Sequence, residues 1–134
     1  MFLQPKRLKY KKVRKGTLPK FEYRANSLQF GTIGLKAAES GTISARQIEA
    51  ARQSINRKIK RKGKLWIRVF PNLPITAKPA EVRMGKGKGA VDHWATKVGS
   101  GRVLFELCGV TNNIAISAFK TGGAKLPVKT IIFK

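Results

Sequence analysis

Acidic residues are scarce in this chain: six Asp and Glu stand against 29 Lys and Arg in 134 residues. A catalytic site built on paired carboxylates, or on a carboxylate that orients a histidine, therefore has few members to draw on. One cysteine, Cys108, excludes an intramolecular disulfide, and with His93 as the single histidine a structural zinc site lacks its ligands. No run of about eighteen apolar residues occurs, which removes a membrane-spanning helix, and no basic amphipathic stretch is left over for a bilayer surface. The opening MFLQPKRLKY has neither an apolar signal core nor a small-residue cleavage site, nor a serine-rich transit character, so no targeting segment is expected. No internal repeat is evident.

What is present in excess is positive charge, a formal +23. The 42% hydrophobic content is ordinary, and the length suits one soluble domain with a real core. Such a charge repels itself unless a polyanion screens it, so nucleic acid is the expected partner. A structural RNA-binding role and a free-standing nucleic-acid chaperone or DNA-compacting role both fit the composition. From Met1 to Lys20 there are eight Lys and Arg and no acid, with Gly16 and Pro19 as breaks. This stretch cannot bury enough apolar surface to fold alone and should order along a phosphate backbone.

The rest of the chain punctuates itself into elements. LQFGTIGL at 28–35 reads as a strand with a bulge near Gly31 or Gly34. In GTISARQIEAARQSINRKIKRKG, Ser44 and Gln47 have capping-box spacing, Ile43 and Ile48 sit at staple positions, and Gly63 supplies the stop. Ile48, Ala51, Ile55 and Ile59 form one apolar stripe. Arg46, Arg57, Lys60 and Arg61 lie away from it, with Glu49 as the lone compensating acid, so this helix face is expected to meet RNA. KLWIRVF at 64–70 has strand content on two faces and is expected to be mostly buried on both. PNLPITAKP, with three prolines, is expected to be an ordered connection. Residues 91–98 and 102–108 read as a hairpin around Gly99, Ser100 and Gly101. A short helix capped by Thr111 or Asn112 and weakened by Gly122 and Gly123 follows, then a final strand in VKTIIF. The sum is α+β: a single compact domain, a largely antiparallel sheet packed with about two helices, and a basic N-terminal arm. The expected division is an arm at 1–27 and a domain at 28–134 with a glycine/lysine loop at 82–90.

That loop, VRMGKGKGA, satisfies the spelling G-x-G-x-x-A with Gly85, Gly87 and Ala90. The dinucleotide fingerprint needs a helix after it, because the helix N-terminus holds the pyrophosphate, yet AVDHWATKV is strand-like. A Walker loop needs a glycine five residues before its Gly-Lys pair and a Ser or Thr after it, and neither register supplies them. What survives is a flexible cationic finger: glycine permits positive φ and lets backbone and lysine approach a phosphate closely. Asp92 and His93 are neighbours that a regular strand would point to opposite faces, and Cys108 in LFELCGV is expected to be a buried, unreactive thiol. No enzyme is expected.

Six stretches then resemble a known family: LQPKR at 3–7, ARQIEAARQ at 45–53, GKLWIRVFP at 63–71, KPAEVRMGKGKG at 78–89, GRVLFELCGV at 101–110 and AKLPVKT at 124–130. They are similar to the large-subunit ribosomal protein L-sixteen family of bacteria and organelles. The likeness spans nearly the whole chain, and the block from Gly63 to Gly89 is its most specific part. The resemblance implies a structural constituent of the large ribosomal subunit, bound to its rRNA near the aminoacyl-tRNA site and peptidyl-transferase centre. It implies a part in late assembly and tRNA positioning, with neighbouring ribosomal proteins as partners and no cofactor, metal, membrane or small-molecule substrate. By position it assigns rRNA binding to Lys6, Arg7, Lys9, Lys11, Lys12 and Arg14 and to Arg46, Arg57, Lys60 and Arg61. It turns Arg83, Met84, Gly85, Lys86, Gly87 and Lys88 toward the functional centre and the aminoacyl-site tRNA. Two departures bear on origin. GTLPKFEYRANS at 16–27 has fewer glycines and arginines than bacterial members, and AVDHW at 90–94 looks closer to mitochondrial versions. With lysine outnumbering arginine, the expected residence is a ribosome of the mitochondrial matrix, ahead of bacterial cytoplasm or plastid stroma.

Overall fold

A computed structural model describes residues 3–134; Met1 and Phe2, which open the expected arm, lie outside the described residues. The chain forms β1 (Ile33–Ala37), β2 (Gly41–Ser44), α1 (Ala45–Lys58), β3 (Lys64–Ile67), β4 (Leu73–Ala77), β5 (Ala90–Val98), β6 (Val103–Cys108), α2 (Asn112–Gly123) and β7 (Thr130–Phe133). Two antiparallel sheets result, a four-stranded one in the order β3-β6-β1-β7 and a three-stranded one in the order β2-β5-β4. The helices pack on each other, α1 also against β2 and β5 and α2 against β1 and β7. The expected α+β domain with two helices is therefore found.

The first helix begins where its capping box sets it. Ser44 Oγ accepts from the Gln47 N–H at 3.3 Å, and Gln47 Oε1 accepts from the Ser44 N–H at 2.9 Å, so two otherwise orphaned donors are satisfied reciprocally. Ile48, Ala51, Ile55 and Ile59 are all buried in the core, each isoleucine contributing about 1.5–3 kcal/mol relative to exposure. The helix ends before Gly63: Lys60 and Arg61 already take left-handed φ of 53° and 61°. Gly63 follows with φ 78°, and a Cβ there would sit 2.3 Å from the Cys108 carbonyl, so glycine is required for the chain to enter β3.

Four sequence expectations are corrected. The strand expected at 28–35 starts only at Ile33, because the N–H groups of Gln29, Phe30 and Gly31 donate to the Glu106 carboxylate instead of to a ladder. Its irregularity falls between Leu35 and Lys36. The strand expected at 64–70 is the edge strand β3 and stops at Ile67, with Phe70 exposed and Trp66 half-buried, so one face is not covered. The proline-rich connection contains β4, whose Pro74 is tolerated because β4 is an edge strand. Residues 91–98 and 102–108 are strands but no hairpin: β5 and β6 enter different sheets. The turn between them is taken by other segments, Ser100 exchanging backbone bonds with Lys20 and Glu22, and the Gly101 N–H reaching the Ala37 carbonyl at 2.8 Å.

The second helix runs through both glycines expected to weaken it. Gly122 is buried against α1, where a Cβ would stand 2.5 Å from Ile55 Cγ1. Alanine is the better helix former by about 1 kcal/mol, yet Gly122→Ala should lower stability by about 1–3 kcal/mol, because the helix pair cannot separate without loosening the core. Urea denaturation of the two proteins checks this, and unchanged stability would mean that the helices give way freely.

Candidate nucleic-acid interface

Four of the six acids are paired with an arginine or hydrogen-bonded to backbone N–H groups within the domain. Glu22 pairs with Arg102 at 2.9 Å and Glu49 with Arg52 at 2.6 Å, each carboxyl held below its ordinary pKa chiefly by its arginine. Glu39 accepts the Lys129 N–H at 3.0 Å. Glu106, with no exposed side-chain surface, lies in the central strand β6 and pairs with Arg68 while receiving the N–H groups of Gln29, Phe30 and Gly31. Burial pushes its carboxyl up, but the three backbone donors and Arg68 together hold it below the usual carboxylate range. Most of the cations consequently have no acid beside them.

From Gln4 to Lys20 the arm is exposed, apart from a half-buried Pro5, and carries no regular secondary structure. It is nevertheless laid along the body. Lys12 Nζ donates to the Lys88 carbonyl at 2.8 Å and Lys88 Nζ to the Val13 carbonyl at 2.6 Å, a reciprocal clasp between arm and glycine loop. Lys97 Nζ reaches the Thr17 carbonyl at 3.0 Å, and Ser40 Oγ the Lys20 carbonyl at 2.8 Å. Phe21 then bridges to Ser100 in parallel register. The clasp sets Lys12 of the arm beside Lys88 of the loop.

The loop itself projects. Val82 to Lys88 are exposed, Met84 at 95%. Gly85, Lys86 and Gly87 have φ of 95°, 56° and 89° in succession. Nothing lies within 4 Å of a Cβ built on Gly85 or Gly87, so those glycines answer to backbone conformation rather than to space. Lys78 Nζ donates to the Gly85 carbonyl and steadies the loop's base.

The helix cations do not form a single patch. Arg57, Lys60 and Arg61 border one recess with Arg52 and Asn56 at the C-terminal end of α1. Arg46 lies in the first turn, about 16 Å from Arg57 at 1.5 Å per residue, beside a different recess with Gln4, His93 and Trp94. The sequence missed Lys78 and Lys97, the two lysines that brace loop and arm, because no local pattern marks a lysine aimed at a distant carbonyl. It also missed Arg68 and Glu106, for which a lone acid inside LFELC was the available signal.

Asp92 and His93 meet after all, His93 Nδ1 lying 2.7 Å from Asp92 Oδ2. The pairing of β4 with β5 passes from His93 to Val91 and skips Asp92, so a bulge breaks the alternation that would separate them. Among the described residues no group of three His, Cys, Asp or Glu gathers to hold a metal, and no helix is long and apolar enough to cross a membrane. Cys108 ends β6 at the sheet margin and is half-buried, not fully buried as expected.

These features define a class: a small α+β domain with most of its few acids paired within the fold and a polycationic arm and loop. The family model described as Ribosomal protein L16p/L10e matches residues 5–133, and the chain belongs to that family. The large ribosomal subunit protein uL16 of Halorhodospira halophila is 58% identical over 128 residues, covering 96% of this chain and 93% of the relative. Those of Alkalilimnicola ehrlichii and Bartonella bacilliformis are 59% and 56% identical over the same shares. The family is one of structural ribosomal proteins, in agreement with the expected absence of enzyme activity.

Glu106→Gln should destabilise the protein by about 2–4 kcal/mol, because it leaves the Arg68 charge without its counterion. The folded-state pKa of Glu106 is lowered, so its contribution is present above the unfolded value of about 4.3 and is lost as pH falls through the folded value. Denaturation at pH 7 and at pH 3 checks both statements: the gap between wild type and variant should narrow at the lower pH.

Proposed function

We propose that this chain is a non-catalytic rRNA-binding constituent of the large ribosomal subunit. The observation that carries the reading is the clasp of Lys12 and Lys88, which sets the cationic arm beside the cationic loop. Polyanions are the chemistry such a pair of segments recognises, and the relatives named above are large-subunit proteins. In this reading the arm at 1–27 is the rRNA-binding segment, with Lys6, Arg7, Lys9, Lys11 and Arg14 on phosphates and Lys12 dividing its role between the loop and RNA. Arg57, Lys60 and Arg61 act as one helix-end site and Arg46 as a separate one.

The loop of Arg83, Met84, Gly85, Lys86, Gly87 and Lys88 faces the functional centre and the aminoacyl-site tRNA. Supporting this is its projection from the domain with no acid among its residues. Neighbouring ribosomal proteins are further partners. The three relatives are bacterial, which favours a ribosome in bacterial cytoplasm over the mitochondrial matrix that lysine usage and AVDHW suggested. Lysine in place of arginine reports base composition before it reports compartment.

If about six to ten cations meet phosphates, affinity for the isolated rRNA site should fall with salt at a log-log slope of roughly −5 to −9. Replacing Lys11, Lys12 and Arg14 with alanine should flatten the slope by about two to three units; an unchanged slope would reduce the arm to a solvated tail. Retention in large subunits through a high-salt wash separates a ribosomal constituent from a free chaperone.

Arg83 is exposed and a planar fork, suited to a bidentate phosphate or to a base face. Arg83→Ala should change stability by no more than about 0.5 kcal/mol while impairing tRNA accommodation or late subunit maturation. Thermal melting beside subunit activity decides it: a large drop in melting temperature with normal translation would make this a structural loop.

A further inference from the structure

Between α1 and α2 lies an open groove of about 960 Å³. One face of each helix forms its walls, Ala50, Ser54 and Arg57 at helical spacing on α1 and Ile114, Ser117 and Thr121 on α2. Short side chains keep it open, while the next residue on each helix, Ile55 and Gly122, closes the same helix pair tightly. Ile114 is 45% exposed on its wall, an aliphatic surface with no partner in the fold.

The rim is cationic. Arg57, Lys58, Lys60 and Lys62 at the end of α1 and Lys125 beyond α2 line the groove, and no carboxylate does. Lys60 and the adjoining Arg61 hold left-handed φ, a conformation that side chains other than glycine disfavour. The turn thus carries Lys60 to the groove's mouth, while Arg61 borders the neighbouring recess at the end of α1.

We propose that this groove receives an unpaired nucleotide of the large-subunit rRNA, its base against the aliphatic wall and its flanking phosphates on the lysine rim. The proposal rests on the rRNA reading above and gives that RNA a specific seat. An unstacked nucleotide is the ligand that is both apolar and flat in its base and anionic on either side. A continuous duplex offers phosphates and sugars but no base face to fill a recess between helices. A protein neighbour as basic as this chain would be repelled by the five cations. An acidic protein segment would not be, and it is the rival occupant.

The test uses the full chain in its large subunit. In a Cys108→Ser background, Thr121→Cys carries a benzophenone label into the groove, and the assembled subunit is irradiated. The expected product is a crosslink to one unpaired rRNA nucleotide. Adding Ile114→Asp should lower its yield about tenfold or more, because it puts a carboxylate against the base and beside its flanking phosphates, while incorporation persists through arm and loop. Chemical probing supplies a label-free reading: a base protected by the unaltered protein should become reactive with Ile114→Asp, whose free form should melt as the wild type does. A crosslink to protein alone, no crosslink from an incorporated chain, or protection indifferent to Ile114→Asp would each overturn the groove assignment and leave the ribosomal reading standing. Failure of the unaltered chain to enter large subunits would overturn that reading, and this one with it.

Discussion

The carboxylate of Glu106 is the point on which the rest of the molecule is hung. It sits in β6, between β3 and β1, and gathers three consecutive backbone N–H groups from Gln29, Phe30 and Gly31 with the guanidinium of Arg68. A buried charge costs several kcal/mol unless its hydrogen-bonding capacity is filled, and here donors from two other segments fill it. That requirement decides where β1 can start and fixes the segment leading out of the arm against the sheet. Above it Phe30 stacks on Trp66 with ring centroids 6.0 Å apart, and Arg68 lies over the Phe30 ring. Edge strand, entry loop and central strand are thereby locked together by one acid in a protein that has six.

Once most of the acids are spent in this way, the cations need other acceptors, and the backbone supplies them. Lys12, Lys78, Lys88 and Lys97 each donate to a carbonyl of the arm or the loop. Exposed bonds of this kind are each worth at most about 0.5–1.5 kcal/mol, too little to fix a +23 chain rigidly but enough to bias the arm toward the loop. A phosphate is a better acceptor for an ammonium than a neutral carbonyl, since the bond is then charge-assisted on both sides. The same lysines that hold arm and loop in the free protein can therefore exchange their carbonyls for phosphates without any rearrangement of the core.

What the sequence disclosed follows from which forces are local. The capping box of Ser44 and Gln47, the isoleucine stripe of α1 and the glycine after it are interactions within a few residues, and they were readable as written. So was the cationic loop, whose glycines signal backbone conformation by themselves. Most of the departures involve partners far away in the chain. Gln29, Phe30 and Gly31 looked like strand because their acceptor lies about 75 residues on. β5 and β6 looked like a hairpin because nothing near Ser100 says that residues 20–22 occupy its edge. β4 was hidden by its prolines, which forbid a central strand and permit an edge. Asp92 and His93 meet through a bulge that alternation cannot anticipate.

The same division separates the legible part of the candidate interface from the illegible part. Which residues are cationic is written in the sequence, but which of them act together is a property of the fold. Arg46 and Arg57 share a helix and a face in projection, yet eleven residues of rise put them at different recesses. Lys12 and Lys88 stand 76 residues apart in the chain and exchange hydrogen bonds. A polycation that reads an irregular RNA surface needs its charges placed, not merely present, because counterion release rewards any cation near a phosphate whereas register depends on relative positions. In this domain the placement is done by two buried or half-buried ion pairs, Glu106 with Arg68 and Glu22 with Arg102, which pin the segments at the base of the arm. The few acids thus orient the many cations.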